Sequence, residues 1–288
     1  MLARAALGAA LQNVGGRKIL PISRTILRPN FDQPSRLLAV KKKTVAPSSD
    51  AIAAPFLNKL HQVDALDFVR SLPPASIDLL LTDPPYCSGG LHRSARVQST
   101  QAKYINGTTK KKYEDFDFDN MDQRSWAFWC HSWLSASFRA MKSGGLVVCF
   151  IDWRQLPALT DVVQAAGFTL RGIAVWDKTT GRCRPRRGGM KQQAEFIVWA
   201  SKGAMPVNDV YLPGVFSEQL RMPKLHLTEK PLAIARELVR LAPPGGVVVD
   251  LFAGSGTFLK AAQDAGLSWA GCEVNDTYYQ EASARLAA

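Results

Sequence analysis

The segment "VVVDLFAGSGTFLKAAQDAGLSWAGCEV", residues 247–274, leaves this chain few choices of fold. Valines run into Asp250, a glycine turn follows at Gly254 and Gly256, and Thr257 opens a helical stretch reaching Ala265. A second apolar strand then ends in Glu273. Strand, tight turn, helix and strand form a unit that needs parallel strands, and parallel sheets are covered on both faces. The same alternation starts near residue 51. A short helix is marked by Ala65, Leu66, Phe68, Val69 and Leu72, and strand 77–82 follows. A helix at about 123–141 places Trp126, Trp129, Trp133 and Leu134 on one face as core, with Gly144 and Gly145 as its stop. Strand 146–151, helix 154–166, strands 170–176 and 195–200, a helix 230–242 opened by Pro231, and a last helix 276–287 complete the series. The expected fold is α/β, a doubly wound, mostly parallel sheet with helices on both faces.

Composition narrows the class. With 288 residues, 47% apolar and 21% charged, the chain has length for a full core. No apolar run approaches the ~18 residues of a membrane span. Five cysteines (87, 130, 149, 183, 272) and four histidines (61, 92, 131, 226) are scattered without a CxxC or Cys/His ligand cluster. That pattern points to a reducing compartment and no structural metal. Of the net charge of +12, residues 1–50 contribute nine Lys/Arg against Asp32 and Asp50, leaving +5 on the other 238 residues. Residues 1–50 therefore read as a basic, mostly disordered extension, with a DNA-contacting tail or a targeting peptide as alternatives. Residues 51–288 read as one domain, interrupted by two long basic segments at 88–120 and 177–194. Loops of that length inside a domain are functional or mobile.

Three motifs carry chemistry. The glycine turn is a ligand site at the carboxyl end of a strand, and Glu273, 19 residues beyond Gly254, is placed to accept from ribose hydroxyls. Leu259 stands where a dinucleotide fingerprint has its third glycine, so a ligand with adenosine and no phosphate, S-adenosylmethionine (AdoMet), suits it better. A purely structural turn is the alternative. "DPPY" (83–86) follows a buried strand; alone it is also compatible with an Asx-type turn. "HLTEKP" (226–231) is compatible with a helix start capped by Thr228.

Together, "DPPY", "DLFAGSGT" (250–257), "HLTEKP" and "GCEV" (271–274) resemble the motifs of the amino-directed DNA methyltransferases, over about residues 56–288. The tetrapeptide precedes the cofactor loop, which resembles the β arrangement of that family, a circularly permuted motif order. The resemblance implies an AdoMet-dependent methyltransferase sheet, AdoMet as methyl donor and a base flipped from duplex DNA as acceptor. It assigns catalysis to Asp83, Pro84, Pro85 and Tyr86. It assigns cofactor contacts to Asp64 (in "VDAL", 63–66), Thr228, Lys230, Asp250, Phe252, Ala253, Gly254, Gly256, Thr257 and Glu273. An exocyclic amine is a poor nucleophile because its lone pair is delocalised into the ring. Asp83 and the Pro84 carbonyl can each accept one N–H and restore that lone pair, the prolines hold the carbonyl rigid, and Tyr86 can stack on the base. No cysteine follows a proline, as C5-cytosine methylation in its family requires. The Asp form of the tetrapeptide resembles adenine-N6 enzymes, with cytosine-N4 as the alternative. RNA or protein-amide methylation and non-catalytic DNA binding are more distant readings.

The basic loops should meet DNA phosphates through Arg93, Arg96, Lys110, Lys111, Lys178, Arg182, Arg184, Arg186, Arg187 and Lys191, with a subset of Arg184, Arg186, Arg187 and Gln192 as candidate readers of base edges. Target recognition is expected in a small region at about 177–225. Its size favours a homodimer sharing the DNA contact, in a cytoplasmic, DNA-associated protein of bacterial or phage type. Such a chain is either an orphan enzyme or half of a restriction pair.

Overall fold

The computed structural model describes residues 56–87, 121–180, 187–206, 208–219 and 229–288, all within the unit Ser48–Ala288. The 1–50 extension and the whole of loop 88–120 lie outside the described residues. In chain order the elements are β1 (Lys59–His61), α1 (Ala65–Ser71), β2 (Ile77–Thr82), α2 (Gln123–Ala140) and β3 (Met141–Ile151). Then come α3 (Leu156–Ala165), β4 (Thr169–Asp177), β5 (Ala194–Ser201), β6 (Val215–Ser217) and α4 (Leu232–Leu238). The series ends with β7 (Val247–Asp250), α5 (Thr257–Asp264), β8 (Ser268–Cys272) and α6 (Asp276–Ala287).

All eight strands join one sheet in the order β1-β8-β7-β2-β3-β5-β4-β6. Every pairing is parallel except the two made by β5, which runs against β3 and β4. The expected doubly wound, mostly parallel sheet is therefore present. Helices cover both faces because the strands are apolar on both, and the two-residue period sorts them. Ile77, Leu80, Val147, Cys149 and Ile151 pack with α1, α2 and α3. Leu79, Leu81, Leu146, Val148 and Phe150 pack with α4 and α5. From β7 the chain crosses by α5 to β8 on one side; from β2 it crosses by α2 to β3 on the other. The winding thus reverses between β7 and β2, where open α/β sheets bind ligands beyond the strands' carboxyl ends.

Several expected boundaries are corrected. Gly144 and Gly145 do not stop α2, which ends when the Met141 N–H donates to the Ser137 carbonyl. The glycines lie inside β3, where the register against β2 shifts; a Cβ on Gly144 would meet Pro206 at 3.0 Å and one on Gly145 would meet Met141 Cε at 2.9 Å. Pro231 is the residue before the helix and not its first turn, and α4 ends at Leu238 in a 3₁₀ turn over Val239–Leu241. Strands β1 and β6, of three residues each, carry too little periodicity to be read from sequence.

Gly271 shows how the turn is accommodated without a third glycine in the loop. A Cβ there would lie 2.6 Å from Leu259 Cδ1 and 2.9 Å from the Asp250 carbonyl, so the small residue sits on β8 and the large one on α5. Gly271→Ala should cost about 1–3 kcal/mol through overpacking, read as a lowered Tm; a variant melting with the parent would contradict this packing.

Candidate active site

Parallel pairing fixes the neighbours at the switch point. Leu79 and Leu80 of β2 sit opposite Val248 and Val249 of β7, so Asp83 and Asp250 emerge at the same end of the sheet. The Thr82 hydroxyl, one residue before Asp83, donates to Asp250 Oδ1 at 2.7 Å and ties the two strand ends together. Because β5 runs the other way, its first residues reach this same end: Phe196 pairs with Ile151, and Glu195 precedes it. Lys178 follows the last residue of β4. Elements distant in sequence thus place Asp64, Glu273, Asp250, Asp83, Glu195 and Lys178 along one edge.

The glycine loop is built around carboxylates. Asp250 is buried, and its Oδ1 also accepts from the Phe252 N–H at 3.1 Å. Its Oδ2 is buried and receives no hydrogen bond among the described residues. Burial pushes its carboxyl up to about 7, with the Thr82 and Phe252 donors opposing and Asp83 and Glu273 adding to the rise. Glu273 Oε2 accepts from the Gly254 N–H at 2.8 Å and Oε1 from the Asn275 N–H at 2.9 Å, tying the loop to β8. Gly254 and Gly256 both take positive φ, 49° and 76°, and a Cβ on Gly256 would press on Ala282 Cβ at 3.2 Å. The Ala253 N–H donates to the Cys272 carbonyl at 3.0 Å, and Thr257 is buried at the start of α5. Phe252 packs its ring against Trp129 and Trp133. Asp64 caps α1, its Oδ1 accepting from Leu66 N–H at 2.8 Å and Asp67 N–H at 3.3 Å.

The tetrapeptide is held from both sides. Trp126 of α2 donates its indole N–H to the Pro85 carbonyl at 2.7 Å, so this tryptophan is core and also a clamp on the loop. The Tyr86 hydroxyl donates to Asp83 Oδ1. Lys230 Nζ lies 2.5 Å from Asp83 Oδ2 and 3.4 Å from Glu195 Oε2, and Glu195 Oε1 pairs with Lys178 Nζ at 2.5 Å. Side-chain exposures of 4% for Lys230, 15% for Glu195 and 16% for Asp83 put this row largely out of water, where charge interactions are strong. Burial opposes charge on Lys230, yet Asp83 and Glu195 raise its pKa above the usual lysine value. Burial likewise acts against Glu195, and Lys230 and Lys178 outweigh it and hold the carboxyl low. For Asp83 burial prevails over Lys230, and its carboxyl sits above the ordinary range.

The expected tetrapeptide and glycine-loop residues are therefore brought together. The Lys230 ammonium, expected at the cofactor, sits between two carboxylates, and the Lys178 ammonium, expected at phosphates, pairs with Glu195 and lies 5.3 Å from the Trp176 ring centroid. Arg187, Lys191 and Gln192 are exposed. Thr228, Arg93, Arg96, Lys110, Lys111, Arg182, Arg184 and Arg186 lie outside the described residues. Sequence reasoning missed two residues. Arg285 of α6 donates to Glu229 Oε1 at 2.8 Å, Thr257 Oγ1 at 3.0 Å and the Ser255 carbonyl at 3.3 Å, stapling the last helix to the glycine loop. Glu195 stood out only as a carboxylate opening an otherwise apolar strand, "EFIVWA".

A switch-point crevice with this glycine loop and an Asp-Pro-Pro-Tyr turn beside it defines the class: an AdoMet-dependent methyltransferase. The sequence matches the N6/N4 DNA methylase family over residues 77–211 and 204–284, and the chain belongs to that family. It is 27% identical over 233 residues to YubD of Escherichia coli K12, covering 81% of this chain and 91% of that one. It is 24% identical to the type II methyltransferase M.HinfI of Haemophilus influenzae, covering 80% and 68% of the two chains. Among solved structures, the cytosine-N4-specific PvuII DNA methyltransferase superposes with a TM-score of 0.63 at 20% identity, over 79% of this chain and 85% of that one. The M1.HpyAVI–SAM complex superposes with a TM-score of 0.58 at 21% identity, over 79% and 98%. The residues present fit AdoMet: Asp250 Oδ2, which receives no hydrogen bond among the described residues, can accept from its ammonium group, and half-buried Gly254 carries no side chain over the loop backbone.

Asp250 makes stability pH-dependent. It keeps its proton up to about 7 when folded but releases it near 3.8 when unfolded, so its contribution is full below that lower value and is lost as pH rises through 7. Asp250→Asn should flatten the fall in Tm of the cofactor-free protein between about pH 4 and pH 7; an unchanged slope would contradict the buried-acid assignment.

Proposed function

We propose that this DNA methyltransferase transfers a methyl group to the N6 amine of an adenine flipped out of a specific duplex sequence. The observation that supports methyl transfer here is the Thr82–Asp250 hydrogen bond, which sets the Asp83 carboxylate beside the glycine crevice, and the choice of adenine rests on the Asp form of the tetrapeptide. When bound, AdoMet supplies a methyl already activated by a sulfonium. The residues at 250–257 and Glu273 would hold it, with Asp64 towards its adenine.

The protein's own part is alignment. Asp83 accepts one N–H of the amine and the Pro84 carbonyl the other, which draws the nitrogen towards tetrahedral geometry and exposes its lone pair. Trp126 fixes the loop by holding the Pro85 carbonyl. The Lys230 ammonium lies 5.3 Å from the Tyr86 ring centroid, and this ring is the stacking partner proposed for the flipped base. Once methylated, the nitrogen carries one proton too many; its N–H bond breaks, the electron pair returns to nitrogen and the proton goes to Asp83. Burial favours a protonated Asp83, which suits that last step.

Cytosine N4 remains the second reading, because the PvuII enzyme of the same fold is cytosine-N4-specific and both amines pose the same chemical problem. A homodimer sharing the DNA contact belongs to this proposal as well. Tritium transfer from labelled AdoMet to duplex DNA, with RNA and protein as controls, tests the substrate class, and long-read sequencing of DNA from expressing cells identifies the base. Asp83→Asn should lower the transfer rate by at least ~100-fold while AdoMet affinity stays within a few-fold; equal loss of both would place Asp83 in cofactor binding. Arg187→Ala with Lys191→Ala should weaken DNA binding and reduce the slope of log K against log salt by about 1–2, at roughly 0.9 per phosphate contact. An unchanged slope would remove them from the interface.

A further inference from the structure

We propose that Glu195 is a positioning residue of this site: it receives the Lys230 ammonium when the target amine takes that ammonium's place on Asp83. The inference rests on the amine-methylation reading above and adds to it a residue that the sequence motifs do not include.

Both oxygens of Asp83 already have donors, Tyr86 at Oδ1 and Lys230 at Oδ2. An incoming amine N–H competes for the same carboxylate. The Tyr86 hydroxyl comes from the tetrapeptide itself, whereas Lys230 enters from the segment before α4 and already has a second carboxylate within 3.4 Å, so the ammonium is the partner that can yield and still meet a carboxylate. A buried ammonium that lost its carboxylate would be an unpaired charge, which burial penalises heavily.

The structure holds a ready acceptor for it. Glu195 Oε2 is buried, receives no hydrogen bond among the described residues, and lies 3.4 Å from Lys230 Nζ. Its other oxygen is anchored by Lys178 at 2.5 Å. A shift of well under one residue length carries the ammonium from a hydrogen bond with Asp83 to one with Glu195, and no charge is stranded. The groups facing the Glu195 carboxylate are Lys230 before α4, Lys178 after β4, and Asp83 and Tyr86 after β2; the Cys149 thiol of β3 lies in the field of Asp83 and Lys230. Like charge from Glu195 also raises the Asp83 carboxyl.

Two experiments test this. The first needs no turnover: in a crystal structure of Asp83→Asn, which removes the competing charge, Lys230 Nζ should move to within about 3.0 Å of Glu195 Oε2. Finding the ammonium at its original distance or farther overturns the proposal. The second uses full-length protein, AdoMet and duplex DNA on which the wild type is active. Glu195→Gln should lower kcat by roughly 100-fold, leave AdoMet affinity within about threefold, and shift the acid limb of the kcat profile to lower pH, because Asp83 loses a neighbouring negative charge. Glu195→Asp keeps the charge and should leave that limb in place. Should Glu195→Gln fail to fold, the Asp83→Asn structure still decides. Inactivity of the wild type on DNA would defeat the substrate reading, whereas an active wild type with an unaffected Glu195→Gln, or a limb shifted equally by Glu195→Asp, would defeat this inference.

Discussion

The parallel pairing of β2 with β7 is the constraint on which the site depends. Neither strand end is a site alone: β7 ends in a carboxylate and a glycine turn, β2 in a carboxylate and two prolines. Registered side by side, with Leu80 opposite Val249, they open onto one crevice. The Thr82 hydroxyl then bridges to Asp250 across 168 residues of sequence. A hydrogen bond of this kind contributes on the order of 1 kcal/mol net, which is small beside the burial of both strands. Its effect is to fix relative position where a small error costs rate.

Around that crevice the protein keeps charge in balance out of water. Lys230 and Lys178 alternate with Asp83 and Glu195, each ammonium meeting a carboxylate. Buried ion pairs contribute little net stability, because desolvation opposes the attraction. Their presence at the one edge where the sheet changes direction is better explained by chemistry than by folding. Asp250, a buried acid whose Oδ2 receives no hydrogen bond among the described residues, belongs to the same pattern: it offers a ligand an acceptor.

Much of this was legible in the sequence, for physical reasons that can be named. Helices and strands with full periods, such as Gln123–Ala140 and Ile77–Thr82, follow from side-chain spacing. The glycine turn was legible because positive φ at Gly254 and Gly256 leaves few residue choices. Gly144 and Gly145 misled for a related reason: glycine marks a bulge in a strand as readily as the end of a helix. Glu195 and Arg285 were not legible, since their importance comes from an antiparallel strand and a terminal helix returning to the crevice, and no local pattern encodes that return. The role of Trp126 was half legible: its spacing announced the core, while its indole hydrogen bond to Pro85 exists only in three dimensions.

The most direct test is a crystal structure of the protein bound to duplex DNA containing its target and to a non-transferring AdoMet analogue. The target base should be extrahelical, its exocyclic nitrogen donating to Asp83 and to the Pro84 carbonyl and lying about 3–3.5 Å from the position of the transferable group. An extrahelical base whose amine points away from Asp83, or an analogue seated away from the glycine loop, would contradict it.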